Sequence, residues 1–298
     1  MNLTHPRTRS RSRVAALACS LLAACGIAVA APSATLPAAE AAPNGNIVAL
    51  GDSFSANPDQ VRNTLRGSVA LGNTPYLRDY PKTGGCLQGP DNWPRLLQAT
   101  GAGPVADWSC TAQTSRTMLG RINSAIKAGD LHRGTKSVVM AIGMNNYGPF
   151  GAKDGVDVLN HTAVANAYVA DMKTAAKRIR SVAPQAKLVI VGTPAVTDAR
   201  GNYCAINLVP NAPLPLSMNL ITNAERSNVA MQARAAREIG AQFVEMRGKT
   251  YAQHSSCAPD KQRYVAGVID TTTPHYNMMF HPSREGSRFI ARNVAAVL

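Results

Sequence analysis

The stretch NIVALGDSFSA, residues 46–56, decides how the chain is read. Its apolar run from Ile47 to Leu50 is continuous rather than alternating, the pattern of a strand buried on both faces, and it stops abruptly at Gly51-Asp52-Ser53. Glycine permits a tight turn, so Ser53 falls at the start of the next element, with its hydroxyl and its backbone N–H together at a strand end. A serine hydroxyl is a weak nucleophile until a base takes its proton, and attack on a carbonyl needs donors aimed at the oxygen that becomes negative. Gly-Asp-Ser is also an ordinary turn, so the rest of the chain must supply those partners.

Four more short runs rich in Val and Ile repeat the pattern of the first: PVADWS (104–109), SVVMAIG (137–143), KLVIVGT (187–193) and AQFVEM (241–246). Between them lie segments with apolar spacings of three and four, at 91–100, 115–128, 158–182, 219–239 and 284–298. Strand–helix alternation of this kind predicts an α/β fold, a three-layer α/β/α sandwich with a mainly parallel five-stranded sheet and right-handed crossovers. Two segments, 56–88 and 196–218, are too long for the loops of such a fold and rich in Gly, Pro and Asn. Both leave from the carboxyl edge of the sheet, where open parallel sheets bind ligands, and they are expected to wall a substrate cleft.

The partners of Ser53 are found at the same edge. VVMAIGMNNYG ends the third strand with Gly143-Met144-Asn145-Asn146, which brings a carboxamide able to donate from its NH2. MMFHPSREGSRFIARNVAAVL places His281 just before an amphipathic final helix, where an imidazole can act as base. With GDSFS at 51–55, GMNN at 143–146 and HPSREG at 281–286 in this order, the chain resembles the GDSL or SGNH hydrolases over residues 46–298. NWPRLLQ at 92–98 is similar to the helix that precedes the family's second strand. The resemblance implies the flavodoxin-like fold of that family and a carboxylic ester hydrolase that needs no cofactor. It implies Ser53 as nucleophile, His281 as general base and then acid, and an oxyanion hole formed by the Ser53 N–H, Asn145 and the N–H of Ala112.

The chain departs from the family at three positions. Where secreted actinobacterial members have Cys-Ser-Gly-Ala, this chain has Cys110-Thr111-Ala112-Gln113, so a Cβ stands where the family has none. Asn146 replaces the last Asp of the Gly-x-Asn-Asp block. Three residues before His281, where the family has an aspartate to hold the imidazole, stands Met278. Three readings follow: a backbone carbonyl at Met278 orients the ring, Asp270 reaches in from VIDTTTPH, or the protein is a catalytically weakened envelope-binding relative. Within the enzyme class, a carbohydrate O-deacetylase is the alternative to an esterase or lipase. The α/β-hydrolase pentapeptide G-x-S-x-G does not occur in the chain.

The N-terminus and the charge bear on where such a protein works. Arg7, Arg9, Arg11 and Arg13, followed by VAALACSLLAACGIAVA, read as a signal peptide over residues 1–30, and 31–45 as a flexible Ala/Pro-rich leader to a hydrolase domain at 46–298. Secretion is the expectation. LAAC ending at Cys25 is also similar to a bacterial lipobox, which would make the protein a cell-envelope lipoprotein. Beyond the signal, 27 Lys and Arg stand against 17 Asp and Glu, a net charge of about +10 that favours anionic envelopes; scattered basic residues and few aromatics argue against nucleic acid. Of the four cysteines outside the signal, Cys86 is expected to pair with Cys110 and Cys204 with Cys257. No C-x-x-C is present, so no metal site is expected, and the N-terminal apolar run is too short and Ala-rich for a stable membrane span.

Overall fold

The computed structural model describes residues 45–298. The signal expected at 1–30, with Cys25, and the leader through residue 44 lie outside the described residues. In chain order the strands are β1 (Ile47–Gly51), β2 (Lys82–Thr83), β3 (Cys86–Leu87), β4 (Val105–Asp107), β5 (Ser137–Ala141), β6 (Lys187–Val191), β7 (Asn202–Asn207), β8 (Leu214–Ser217), β9 (Gln242–Val244) and β10 (Ile269–Asp270). The helices are α1 (Ser53–Ala56), α2 (Gln60–Leu65), α3 (Pro75–Arg78), α4 (Trp93–Gln98), α5 (Ser115–Lys127), α6 (Pro149–Lys153), α7 (His161–Val182), α8 (Asn219–Ile239), α9 (Arg247–Thr250) and α10 (Arg284–Ala295).

The five apolar runs of the sequence form one parallel sheet in the order β4-β1-β5-β6-β9. Successive side chains of a strand point to opposite faces, and here both faces are apolar. Val48, Leu50, Val138, Met140, Leu188 and Ile190 pack against α5, α7 and α8, whereas Ile47, Ala49, Val139, Val189 and Val191 pack against α4 and α10. Helices therefore cover both sides of the sheet, as the alternation predicts. The strand order reverses at β1, which lies between β4 and β5. In open α/β sheets the ligand crevice opens at such a switch point, outside the carboxyl ends of the strands. Ser53, Ala112 and Asn145 all follow those three strand ends.

The two long insertions carry structure of their own. Residues 56–88 contain α2, α3 and the antiparallel β2–β3 pair. Residues 196–218 contain β7 and β8, which pair antiparallel and are joined by β10, parallel to β7, in a separate three-stranded sheet. Disulfides Cys86–Cys110 and Cys204–Cys257 tie each insertion to a distant part of the chain.

Gly51 closes β1 for a steric reason. A Cβ there would lie 2.1 Å from Ser55 Oγ and 2.5 Å from Ser55 Cβ, with the Ala141 carbonyl at 3.0 Å. The first turn of α1 can pack on the strand end only because position 51 has no side chain. Gly51→Ala is expected to push α1 away, destabilising the fold by about 1–3 kcal/mol and lowering esterase activity together. A thermal melt alongside an initial-rate assay reads both effects, and an unchanged melt would mean that α1 tolerates the extra carbon.

Candidate active site

Asp52 caps α1. Its carboxylate accepts from the Phe54 N–H at 2.9 Å, and burial pushes its pKa up to about 7 against the lowering effect of that hydrogen bond. Ser53 is the first residue of the helix, so its N–H has no acceptor within the helix. Asn57 ends α1 in the left-handed region at φ 38°, and its side-chain amide donates to the Pro282 carbonyl at 2.9 Å. That bond fastens the serine helix to the histidine loop across 225 positions of sequence.

The loop is pinned elsewhere too. Gln60 N–H donates to the Asn277 carbonyl at 2.9 Å, and Asp91 accepts from Asn277 Nδ2 at 2.6 Å and from Arg284 Nε at 2.8 Å. Asn57 and Asp91 were not singled out in the sequence. Asn57 had a signal, because asparagine is the non-glycine residue best suited to a left-handed helix end; Asp91, beside the helix cap Asn92, had none.

His281 Nδ1 lies 2.7 Å from the Met279 carbonyl. A carbonyl only accepts, so Nδ1 carries the proton of the neutral ring and Nε2 keeps its lone pair. Nε2 is buried and has no hydrogen-bond partner among the described residues, leaving that lone pair unclaimed. Burial lowers the imidazole pKa to about 4, a shift that the Met279 hydrogen bond opposes.

Of the backbone carbonyls near Met278, it is that of the next residue, Met279, that meets the ring. Met278 itself is buried, and Phe280, between Met279 and His281, takes φ 64°, turning the chain so that the Met279 carbonyl meets the ring. The Asp270 carboxylate makes its hydrogen bonds away from the imidazole. It accepts from Gly267 N at 2.7 Å, Asn207 Nδ2 at 3.0 Å, Thr273 Oγ1 at 2.7 Å, Thr272 N at 3.1 Å and Thr273 N at 2.8 Å, with Arg263 at 3.6 Å. Burial alone would raise its pKa, and these bonds outweigh it and hold the carboxyl below its ordinary range.

Asn145 lies in a 3-10 turn, Met144–Tyr147, directly after β5. Its Nδ2 donates to the Gln113 carbonyl at 2.9 Å, which fixes the amide with NH2 rather than oxygen on that side and leaves a second N–H free. Asn146 accepts from Ser115 N at 3.2 Å and donates to Ser115 Oγ at 2.7 Å, and Ser115 Oγ in turn donates to Asp171 at 2.8 Å. Its place in the fold is to lock the turn onto the start of α5. Ala112 adopts φ 65°, the left-handed conformation that a glycine takes without cost.

Ser53, Asn145 and His281 line one cavity of about 150 Å³, with Asp52, Phe54, Met144 and Phe280 completing it. Ala112, Met278 and Asp270 are not among its lining residues. Neither long insertion contributes a lining residue, so the cleft walls expected of them are absent there. The second insertion buttresses the cavity instead: Tyr203 of β7 packs edge-to-face on Phe280 with ring centres 5.1 Å apart. His275 is exposed and outside the cavity.

The chain is 25% identical over 284 residues to Lipase 2 of Streptomyces coelicolor, covering 87% of this chain and 88% of that one. The extracellular lipase of Streptomyces rimosus superposes with a TM-score of 0.55 at 22% identity, over 85% of this chain and 98% of its own. Phospholipase A1 of Streptomyces albidoflavus does so with a TM-score of 0.52 at 16% identity and the same coverages. Residues 49–289 match the GDSL-like lipase/acylhydrolase family. A match over that much of the chain, carried on this sheet, shows that the protein belongs to the GDSL-like lipase/acylhydrolase family and is a carboxylic ester hydrolase.

Proposed function

We propose that the protein is a secreted serine esterase or lipase that cleaves carboxylic esters through an acyl-enzyme on Ser53. The observation that carries this reading is the shared cavity, which is lined by Ser53, by Asn145 with an amide N–H left over from its bond to Gln113, and by His281 with an unclaimed Nε2 lone pair. His281 Nε2 takes the hydroxyl proton as Ser53 Oγ adds to the ester carbonyl. Asn145 and the Ser53 N–H, both from residues that line the cavity, stabilise the oxyanion. The imidazolium then gives its proton to the departing alcohol, and water, deprotonated by the same ring, releases the acid. The Met279 carbonyl keeps the ring in the required tautomer, and as a dipole it stabilises the imidazolium less than a carboxylate would.

One observation supports export: both disulfides suit an oxidising compartment. The test of the chemistry is labelling with a serine-directed organophosphonate, followed by mass spectrometry. One adduct, on Ser53, supports the reading; absence of any adduct favours a binding protein. Rates on a p-nitrophenyl acetate, a long-chain ester and an acetylated polysaccharide separate lipase from O-deacetylase.

The lowered pKa of His281 predicts the pH profile. The base must be neutral to act, and a free-enzyme pKa near 4 keeps it neutral well below the ordinary histidine range. The acid limb of kcat/KM is therefore expected between pH 4 and 5. Asp52 titrates near 7 beside the nucleophile, so the profile is also taken in Asp52→Asn, which keeps the helix cap and removes that ionisation. An acid limb at pH 6.5 in both proteins would show that the imidazole is not held in a desolvated place.

A further inference from the structure

The sheet formed by β7, β8 and β10 exposes a group of aliphatic side chains that the chemistry at Ser53 does not use. Leu208, Val209, Leu214, Leu216, Ile269 and Met279 are between 39% and 61% exposed. Residues facing each other on paired strands share a face of the sheet. Leu216 pairs with Tyr203, Leu214 with Ile206, and Ile206 with Ile269, and the register shift between Tyr203 and Ile206 keeps both on the face of Leu214 and Leu216. An apolar band therefore runs from Ile269 and Leu214 in solvent, through Leu216, to Tyr203. Tyr203 packs on Phe280, a wall of the Ser53 cavity, and Met279 sits beside it.

The strands of the band carry few charges as well as being apolar, and Asp260, which accepts from Asn211 N at 3.0 Å in the β7–β8 connection, is paired with Arg263. Residues 201–224 contain no charged side chain in a protein that is 16% charged, and the single carboxylate between 264 and 283 is the buried Asp270. Contiguous exposed apolar surface marks an interaction site. Its chemistry is that of hydrocarbon contact: the exposed residues are Leu, Val, Ile and Met, without the Trp and Arg that anchor protein interfaces. β8 is an edge strand, and Pro215 within it discourages addition of a partner strand. One end of the band meets the cavity where an ester bond would be attacked.

We propose that this sheet face seats on the surface of a zwitterionic lipid bilayer, burying its aliphatic side chains among the acyl chains and bringing the cavity of Ser53 to the ester groups at that surface. This extends the ester-hydrolase reading, and it is tested by binding alone, so the two fail separately. The test is co-sedimentation of the full chain with phosphatidylcholine vesicles in 0.5 M NaCl, where attraction of the basic protein to lipid is screened. The expected result is binding that Leu214→Ser/Ile269→Ser weakens about tenfold or more, with turnover of a soluble short-chain ester unchanged. Equal binding by the double variant, or no binding of the wild-type chain, overturns the proposal. So does a dimer in solution that the double substitution dissociates, because the face would then be covered by a second copy.

Discussion

Ser53→Ala is expected to lower kcat on any ester by about 10³-fold or more while leaving the melting temperature nearly unchanged. The size follows from what is removed. Ser53 carries the one hydroxyl among the cavity-lining residues, whereas Asn145 and His281 would keep their hydrogen bonds to Gln113 and Met279. The residual rate would come from binding and oxyanion stabilisation of a water-driven reaction. Ser53 Oγ makes no bond with Nε2 in the resting structure, so its loss strands no buried partner that was satisfied before. Hydrolysis by the purified variant at the wild-type rate would remove Ser53 from the reaction, and a collapsed melt would show that the hydroxyl is needed for folding.

Asp270→Asn should have the opposite signature, with stability falling by about 3–5 kcal/mol and kcat, measured well below the melting point, staying within about threefold. The carboxylate accepts from three donors on one oxygen and two on the other, with Arg263 beside it and both side chains fully buried. A carboxamide must turn its NH2 toward one of those donor sets, leaving buried N–H groups facing one another. Its depressed pKa gives the same group a role in acid unfolding. The stability it contributes is present above its unfolded pKa, near 4, and is lost as pH falls through the lower folded value. Denaturant titrations of both proteins at pH 7 check the first effect. A kcat loss of 100-fold in a protein still folded would instead make Asp270 a partner of His281.

The particular residues show why some of this was legible in the sequence. The three central strands could be read because they carry consecutive aliphatic residues, and the short edge strands β4 and β9 because they recur between helix-patterned segments. The serine, asparagine and histidine could be read because each follows a strand end or precedes the last helix, and topology brings those ends together. The β7–β8–β10 sheet could not. Its strands, Asn-Tyr-Cys-Ala-Ile-Asn and Leu-Pro-Leu-Ser, have neither an apolar run nor clean alternation, and a register shift breaks what period exists. Which carbonyl near Met278 meets the His281 ring was not legible, because the turn depends on Phe280 at φ 64°, a conformation that a phenylalanine side chain does not advertise. Asp270 was a reasonable candidate by distance along the chain, and only its five donors show that it is engaged elsewhere.

The Cys86–Cys110 link has a consequence for how the protein must be made. Cys110 lies three residues before Gln113, whose carbonyl holds the Asn145 amide in place. In a reducing cell interior that segment loses its tether to the β2–β3 hairpin, and with it the support of the Asn145 amide, while Ser53 and His281 keep their own anchors. Material produced in cytosol would then be soluble yet sluggish, and air oxidation or passage through a periplasm would wake it.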